Sequence, residues 1–197
     1  MQKPKIVAIY GSPRRSGNTA ALLRKAIEGA RDSGAEVEEI VLRDLKISPC
    51  LEIYGCLQAG ECAIKDDFQM VRDKILNAQG LFLASPVFFY TVSSHTKILM
   101  DRFQSLWVKK YWVDTPPGKQ QTNNRKGLFI SVGATKGKKL FDGMLLSIRY
   151  FFDVLDMELW KALLYRQLDF QDDILKHPEY LEEAYKSGKA FVTALNS

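Results

Sequence analysis

Short apolar runs alternate along this chain with longer segments whose apolar residues recur at the spacing of a helix face. The first such segment carries Leu23, Ala26, Ile27 and Ala30 at positions i, i+3, i+4 and i+7. Parallel strands need crossover connections, so this alternation predicts an α/β fold with one parallel sheet and helices on both faces. Strands are expected at residues 6–10, 37–42, 81–85, 128–132 and 157–164. Helices are expected after residue 19 and from about 66, 93, 141 and 178, the third running through Leu106.

The length suits one domain, and we expect residues 1–197 to fold as a single unit. Two segments depart from the alternation. One is a cysteine-bearing loop at about 46–65. The other is an irregular insert at about 107–126, rich in aromatic residues, whose Pro116-Pro117-Gly118 is typical of a surface loop or a lid.

Charge and hydropathy exclude several classes of protein. The net charge is +5, but Lys and Arg are spread along the chain instead of forming one stripe, which argues against nucleic-acid binding. No run of about 18 apolar residues suggests a membrane span, and the first residues lack the apolar core of a signal peptide. We therefore expect a cytoplasmic protein that binds neither nucleic acid nor membrane.

The stretch between the first strand and the first helix has the composition of an anion site. It reads Gly11-Ser12-Pro13-Arg14-Arg15-Ser16-Gly17-Asn18-Thr19. A helix start offers unpaired backbone N–H groups and the positive end of the helix dipole. Ser12, Ser16 and Thr19 add hydroxyl donors, and the Arg14 side chain adds charge. The alternative is a plain strand-to-helix turn in which Ser and Asn cap the helix and the arginines lie in solvent.

The residues that are missing from this loop limit which kind of phosphate group it can bind. An ATP-type loop continues its second glycine with Lys and then Ser or Thr, whereas Asn18 follows Gly17 here. A dinucleotide loop needs Gly-x-Gly-x-x-Gly so that backbone can approach a pyrophosphate, and this loop has side chains at those positions. The hydroxyl-rich loop therefore predicts a site for a terminal monophosphate.

Four stretches of the sequence occur in the order and spacing of one known family. They are Gly11-Ser12-Pro13-Arg14 with Gly17-Asn18-Thr19; Cys50 to Cys62 running into Ile64-Lys65-Asp66-Asp67; Ala84-Ser85-Pro86-Val87-Phe88-Phe89; and Lys97 to Asp101-Arg102. In this combination the sequence resembles the NADPH-dependent FMN reductase family, especially its iron-sulfur flavoprotein branch.

The resemblance implies a flavodoxin-like three-layer sandwich with strand order 2-1-3-4-5 and a noncovalently bound FMN. The residues that it implies for the FMN phosphate are Ser12, Arg14, Ser16, Gly17, Asn18 and Thr19. The residues that it implies for the edge of the isoalloxazine ring are Ser85, Pro86, Val87, Phe88 and Phe89, with Gly133 near the ring. Taken alone, Phe88 and Phe89 equally fit a core or an oligomer interface. Asp101 and Arg102 are expected to form a structural ion pair.

The three cysteines match an incomplete metal motif. The iron-sulfur branch carries Cys-x2-Cys-x2-Cys-x5-Cys, and Cys50, Cys56 and Cys62 occupy its first, third and fourth positions, while Ile53 occupies the second. A four-iron cluster ordinarily takes four thiolates. Three leave a cluster with an open corner, a three-iron form, a borrowed ligand, or three thiols without metal.

The function expected from these observations is that of an FMN-dependent oxidoreductase, which takes hydride from NAD(P)H and passes electrons to a small acceptor such as a flavin or a quinone. One alternative is an electron carrier of the iron-sulfur flavoprotein type, reduced by a ferredoxin-like protein partner. Another is a flavin-binding or interaction module without turnover. The resemblance and the aromatic insert also predict a homodimer or a homotetramer.

Overall fold

The structure is a computed structural model that describes residues 3–114 and 124–197. Its centre is a five-stranded sheet in which every neighbouring pair is parallel, in the order β2-β1-β3-β4-β5. The strands are β1 (Lys5–Tyr10), β2 (Glu36–Val41), β3 (Gly80–Ala84), β4 (Lys126–Gly133) and β5 (Glu158–Arg166). The flavodoxin-like α/β fold predicted from the sequence is confirmed, and each strand lies within two residues of its predicted position.

Seven α-helices within the described ranges connect the strands or follow the last one. They are α1 (Asn18–Asp32), α2 (Cys56–Ala59), α3 (Phe68–Leu76), α4 (Ser94–Arg102), α5 (Gln104–Val108), α6 (Asp142–Val154) and α7 (Pro178–Asn196). None of the helices in these ranges is long and apolar enough to cross a lipid bilayer.

Alternate residues of the strands feed two apolar cores, one on each face of the sheet. Ile6 and Ala8 of β1 belong to the core under α1 and α7, whereas Val7 and Ile9 belong to the core under α3, α4 and α6. This follows from strand geometry, because successive side chains point to opposite faces. Both faces of the central strands are therefore apolar, as expected for a parallel sheet buried between helices.

The segment predicted as an irregular insert at about 107–126 is partly helical. The helix predicted from about residue 93 through Leu106 is interrupted at the buried Phe103, which separates α4 from α5. Lys109–Val113 then forms one π-helical turn. Aromatic packing stabilises that turn, since the Trp107 ring lies 4.9 Å from that of Trp112 between centroids. Residues 115–123, which include Pro116-Pro117-Gly118, lie outside the described residues, so the lid remains a prediction.

Candidate functional site

A cleft opens at the carboxyl ends of the strands, where parallel sheets place their ligands. It is bounded by the loops after β1, β3, β4 and β5. Its lining residues are Ser12, Pro13, Arg14, Gly17, Asn18, Thr19, Pro86, Val87, Phe88, Val132, Gly133, Ala134, Leu168 and Asp169. Residues that are far apart in the sequence, from the hydroxyl-rich loop and from the apolar stretch after β3, thus form one site.

Gly11 allows the chain to turn from β1 into the cleft. A Cβ at this position would lie 2.1 Å from Thr96 Oγ1 and 2.8 Å from the carbonyl oxygen of Ala84, so no larger residue fits. The Gly11 carbonyl accepts hydrogen bonds from the Ser93 and Thr96 hydroxyls, and its N–H donates to Ala84 O at 2.7 Å. The start of α4 therefore fixes the path of the loop.

The start of α1 points unpaired N–H groups into the cleft. Gly17 is the N-cap, in an extended conformation, and no side chain caps the helix. Among the described residues, the N–H groups of Gly17, Asn18 and Thr19 have no protein acceptor. The first turn carries no acidic residue that would oppose an anion. These donors and the positive end of the helix dipole make this helix start an anion site.

The two arginines of the loop differ in what they contact. The Arg15 guanidinium lies 2.5 Å from Asp44 Oδ1 in an exposed ion pair. Arg14 is exposed at the edge of the cleft, and its guanidinium has no partner in the described part of the chain. Ser12 is buried, and its hydroxyl accepts the Arg14 N–H at 3.1 Å, which holds the loop in a tight turn. Ser16 is exposed and does not line the cleft.

Asn18 has a structural use that the sequence did not suggest. Its amide nitrogen donates to the Phe170 carbonyl at 2.9 Å, and its amide oxygen accepts the Ile174 N–H at 3.2 Å. Both ends of the side chain are therefore engaged with the segment after β5, which leaves the backbone N–H of Asn18 as its donor for an anion. The same segment brings Leu168 and Asp169 into the cleft. Their position directly after a strand is the signal in the sequence that points to them, because parallel sheets bind ligands at the carboxyl ends of their strands.

The loop after β3 forms the apolar wall of the cleft. Val87 N–H donates to the Val132 carbonyl at 3.0 Å, which continues the β3–β4 pairing beyond the end of β3. Pro86, Val87 and Phe88 line the cleft, whereas Ser85 and Phe89 do not. Ser85 is fully buried, and its hydroxyl accepts the Ser93 N–H at 2.9 Å.

A strained turn lies at the mouth of this wall. Phe88 and Thr91 exchange two backbone hydrogen bonds of 2.9 and 3.0 Å, and the two residues between them have left-handed backbones, with φ of 48° at Phe89 and 61° at Tyr90. This conformation costs a non-glycine residue about 1–2 kcal/mol. It holds the Phe89 ring fully in solvent beside the cleft. Strain of this kind is concentrated at functional sites.

Gly133, which the resemblance places near the flavin ring, lines the cleft. A Cβ here would lie 2.7 Å from Leu140 Cδ2 and 3.2 Å from Val87 Cγ2. The glycine is therefore required by the packing between the end of β4 and the apolar wall.

Comparison with known proteins agrees with this geometry. The model of the NADPH-dependent FMN reductase family matches residues 4–158. The chain belongs to this family. It is 36% identical over 132 residues to an iron-sulfur flavoprotein of Methanocaldococcus jannaschii, covering 67% of this chain and 63% of that protein. It is 30% identical over 135 residues to the Bacillus subtilis protein YwqN, which bears the name NAD(P)H-dependent FMN-containing oxidoreductase, covering 68% of this chain and 69% of that protein.

A solved structure extends the likeness in fold. The NAD(P)H:quinone oxidoreductase from Methanothermobacter marburgensis superposes with a TM-score of 0.73 at 14% identity, over 96% of each chain. In sequence, the match spans less than two thirds of the length of the Methanocaldococcus relative. The family is therefore established by the sequence match, and the quinone oxidoreductase supports the fold alone.

The cleft fits the FMN that the family name implies. The unpaired helix start and the free Arg14 guanidinium suit a phosphate dianion. The wall of Pro86, Val87 and Phe88 suits a flat aromatic ring system. These two kinds of surface lie in one cleft, as a ligand with a phosphate at one end and a planar ring at the other requires.

The cysteine-bearing loop is tied to the body of the protein by one buried side chain. Arg102 is 1% exposed and donates to the Ser48 carbonyl at 2.9 Å, to the Ile64 carbonyl at 3.0 Å and to Cys62 Sγ at 3.3 Å. Its Nη1 also lies 2.6 Å from Asp66 Oδ2. The ion pair expected between Asp101 and Arg102 is wrong, because Asp101 pairs with Lys97 at 2.6 Å across one helical turn.

The ion pair between Arg102 and Asp66 shifts the pKa of both residues. Burial alone would raise the pKa of Asp66, but the hydrogen bonds from Arg102 and from the Ser48 and Phe68 N–H groups outweigh it and lower that pKa. Burial likewise opposes the charged form of Arg102, and its hydrogen bonds to Asp66 and Cys62 raise its pKa nonetheless. Both groups are therefore charged at neutral pH and hold the loop from its two ends.

The three cysteines line one surface cavity, of about 660 Å³, together with Ile53. All three are free thiols. In the parts of the chain that the structure describes, no group of three or more His, Cys, Asp or Glu side chains is arranged to hold a metal ion. Ile53, in the remaining position of the motif, is 59% exposed and offers no ligand atom. These residues do not fit a four-thiolate iron-sulfur cluster.

Proposed function

We propose that the chain is an FMN-dependent oxidoreductase that takes hydride from NAD(P)H and passes electrons to a small planar acceptor. One observation carries the proposal: the uncapped start of α1, with the unpaired Arg14, opens into the same cleft as the apolar wall after β3. Membership in the FMN reductase family supports the same cofactor.

The residues of the chain bind and orient the cofactor. The N–H groups of Gly17, Asn18 and Thr19 would hold the phosphate, with charge from Arg14. Pro86, Val87 and Phe88 would cover part of the ring and exclude water from it. The hydrogen bond from Gly11 N–H to the Ala84 carbonyl joins the loop after β1 to the end of β3, from which the apolar wall follows.

Bound FMN supplies the redox chemistry, by accepting hydride and releasing electrons, and the protein supplies position and electrostatics. The chain therefore needs no side-chain acid or base for the transfer itself. Asp169 is the one carboxylate among the residues that line the described cleft, and its exposure keeps it hydrated.

The side chains at the mouth of the cleft suit an electron acceptor that is flat and largely apolar, such as a quinone or a free flavin. Phe88 and Phe89 are 44% and 101% exposed beside the cleft, and the strained turn keeps both aromatic side chains there. Aromatic rings in such positions stack against planar ligands.

Anaerobic mixing of the flavin-loaded protein with NADPH or NADH tests the proposal. Bleaching of the flavin absorbance, followed by steady turnover with a quinone, is the expected result. Absence of bleaching by either nucleotide, with reduction by a ferredoxin-like protein instead, would favour the electron-carrier alternative. Bleaching by neither donor would leave a flavin-binding module without turnover.

The proposal extends to assembly and location. A homodimer or homotetramer in the cytoplasm is expected, and the exposed rings of Trp112 and Tyr150 form part of an apolar surface that suits a contact between copies. Light scattering of the purified protein would measure the oligomeric state.

A further inference from the structure

The cysteine-bearing loop has features that an iron-sulfur site does not explain. It forms a turn in which the short helix α2 is followed by Gly60, whose φ of 68° reverses the chain. The Gly60 N–H donates to the Cys56 carbonyl at 2.7 Å. The returning segment then brings Ala63 against Gly55, so closely that a Cβ on Gly55 would lie 2.8 Å from the Ala63 Cβ.

This close approach brings together the two segments that carry Cys56 and Cys62. Each cysteine adjoins one member of the Gly55–Ala63 contact, and both line the same cavity. A disulfide between them requires their Cα atoms to come within about 4.4–6.8 Å of each other. Both thiols are partly exposed, so a small molecule can reach them.

Arg102 distinguishes one of the two sulfurs. Its Nε donates to Cys62 Sγ at 3.3 Å, from a side chain that is itself buried. This contact with a charged donor distinguishes Cys62 as the sulfur that attacks first in thiol–disulfide exchange. Among the contacts of the described residues, neither Cys50 nor Cys56 receives a comparable hydrogen bond.

The geometry points to Cys56 and Cys62 as a redox-active dithiol that exchanges with low-molecular-weight disulfides, in place of a four-thiolate iron-sulfur cluster. Cys62 loses its proton to solvent and attacks one sulfur of the small disulfide, and the other sulfur leaves as a thiolate. Cys56 then loses its proton and attacks the Cys62 sulfur of the mixed disulfide, which releases the second small thiolate. Two protein thiols are thereby oxidised to one disulfide, and one small disulfide is reduced to two thiols.

Peptide mapping tests this assignment directly, since the sequence places Glu52 and Glu61 between the cysteines. Cleavage after glutamate therefore puts each cysteine on a different peptide. The full chain is purified anaerobically, treated with oxidised glutathione, alkylated and digested. The expected product is a link between the Cys56 and Cys62 peptides, with loss of two alkylatable thiols and with Cys50 still alkylated.

Variants separate the pair from a nonspecific reaction. Cys50→Ser should leave the link unchanged, whereas Cys56→Ser should stop at a stable mixed disulfide on Cys62. Arg102→Lys, checked for folding by its melting temperature, should slow modification of Cys62 relative to Cys50 in the same sample. If Arg102→Lys does not fold, the two cysteine variants alone decide the matter.

Three results would overturn the proposal: a link that involves Cys50, glutathione retained on all three thiols, or stoichiometric iron and acid-labile sulfide in the anaerobically purified protein. None of these depends on whether the cleft binds FMN, so the flavin proposal and the dithiol proposal fail separately.

Discussion

Arg102 Nη1 lies 2.6 Å from Asp66 Oδ2, in an ion pair that joins the end of α4 to the second residue before α3. The Arg102 side chain is fully buried and that of Asp66 is 12% exposed. Around this pair, the Ser48 and Ile64 carbonyls also accept from the guanidinium, which fixes both ends of the cysteine-bearing loop. The order of this loop thus depends on one buried charge.

The stability of the protein should depend on pH through Asp66. The pKa of this carboxyl is lowered from 3.8 in the folded state, so its contribution is fully present above that value and is lost as pH falls towards the folded pKa. We expect the free energy of unfolding, measured in urea, to fall below about pH 4. Asp66→Asn should cost about 3 kcal/mol at pH 7, because it leaves a buried charge unpaired, and should flatten this acid dependence.

The matched control for that experiment is Asp101→Asn, which removes the exposed ion pair between Lys97 and Asp101 on α4, the helix that also carries Arg102. Such pairs contribute at most about 1 kcal/mol. An equal loss of stability in both variants would contradict the role given to Arg102.

Arg14→Ala should release FMN during purification. A charge-assisted hydrogen bond to phosphate contributes about 1.5–3 kcal/mol, so the Kd should rise by at least about tenfold. Arg15→Ala is the control, because Arg15 is engaged with Asp44 and does not line the cleft. Flavin fluorescence in equilibrium titrations measures both constants. An identical loss in the two variants would show a general charge effect.

Asn18→Ala should lower stability more than it lowers flavin affinity. The variant loses two hydrogen bonds to the segment at 170–174, worth about 1–3 kcal/mol together, but keeps its backbone N–H. Thermal melting and FMN titration on the same preparation separate the two effects. Full stability combined with lost FMN would mean that the side chain contacts the phosphate after all.

Phe89→Gly should stabilise the protein and impair its use of planar acceptors. Glycine relieves the left-handed backbone at this position, by about 1 kcal/mol, and removes the exposed ring. The KM for a quinone should rise several-fold while NADPH bleaching of the flavin stays unchanged. Leu146→Ala, at another exposed apolar position, on α6, should leave that KM unaltered. A lower KM in Phe89→Gly would argue that the ring obstructs the site.

The sequence predicted the sheet well, because its strands are apolar runs that are buried on both faces. The resemblance also assigned the loop after β1 and the stretch after β3 to one ligand, and the structure brings both into one cleft. Contacts between residues that are distant in the sequence could not be predicted. The Asn18 amide donates a hydrogen bond to the Phe170 carbonyl, and Arg102 forms its ion pair with Asp66 and not with its neighbour Asp101. A pattern of residue types does not specify which of several chemically suitable partners the tertiary packing brings close.

Local backbone geometry was equally hidden from the sequence. Phe89 and Tyr90 are bulky residues, and nothing in their identity predicts positive φ. Their conformation follows from the reciprocal hydrogen bonds between Phe88 and Thr91. The π-helical turn at Lys109–Val113 likewise arises from packing, with the Lys110 amine buried against Asp156 at 2.7 Å.

The most direct test compares the binding of FMN and riboflavin to the flavin-free protein, because the two ligands differ only in the phosphate. Titration at equal ionic strength should give FMN a Kd at least about 100-fold lower, as expected for a phosphate held by several N–H groups and a guanidinium. Most of that difference should disappear in Arg14→Ala. Equal affinities for FMN and riboflavin would contradict the assignment of a phosphate to the start of α1.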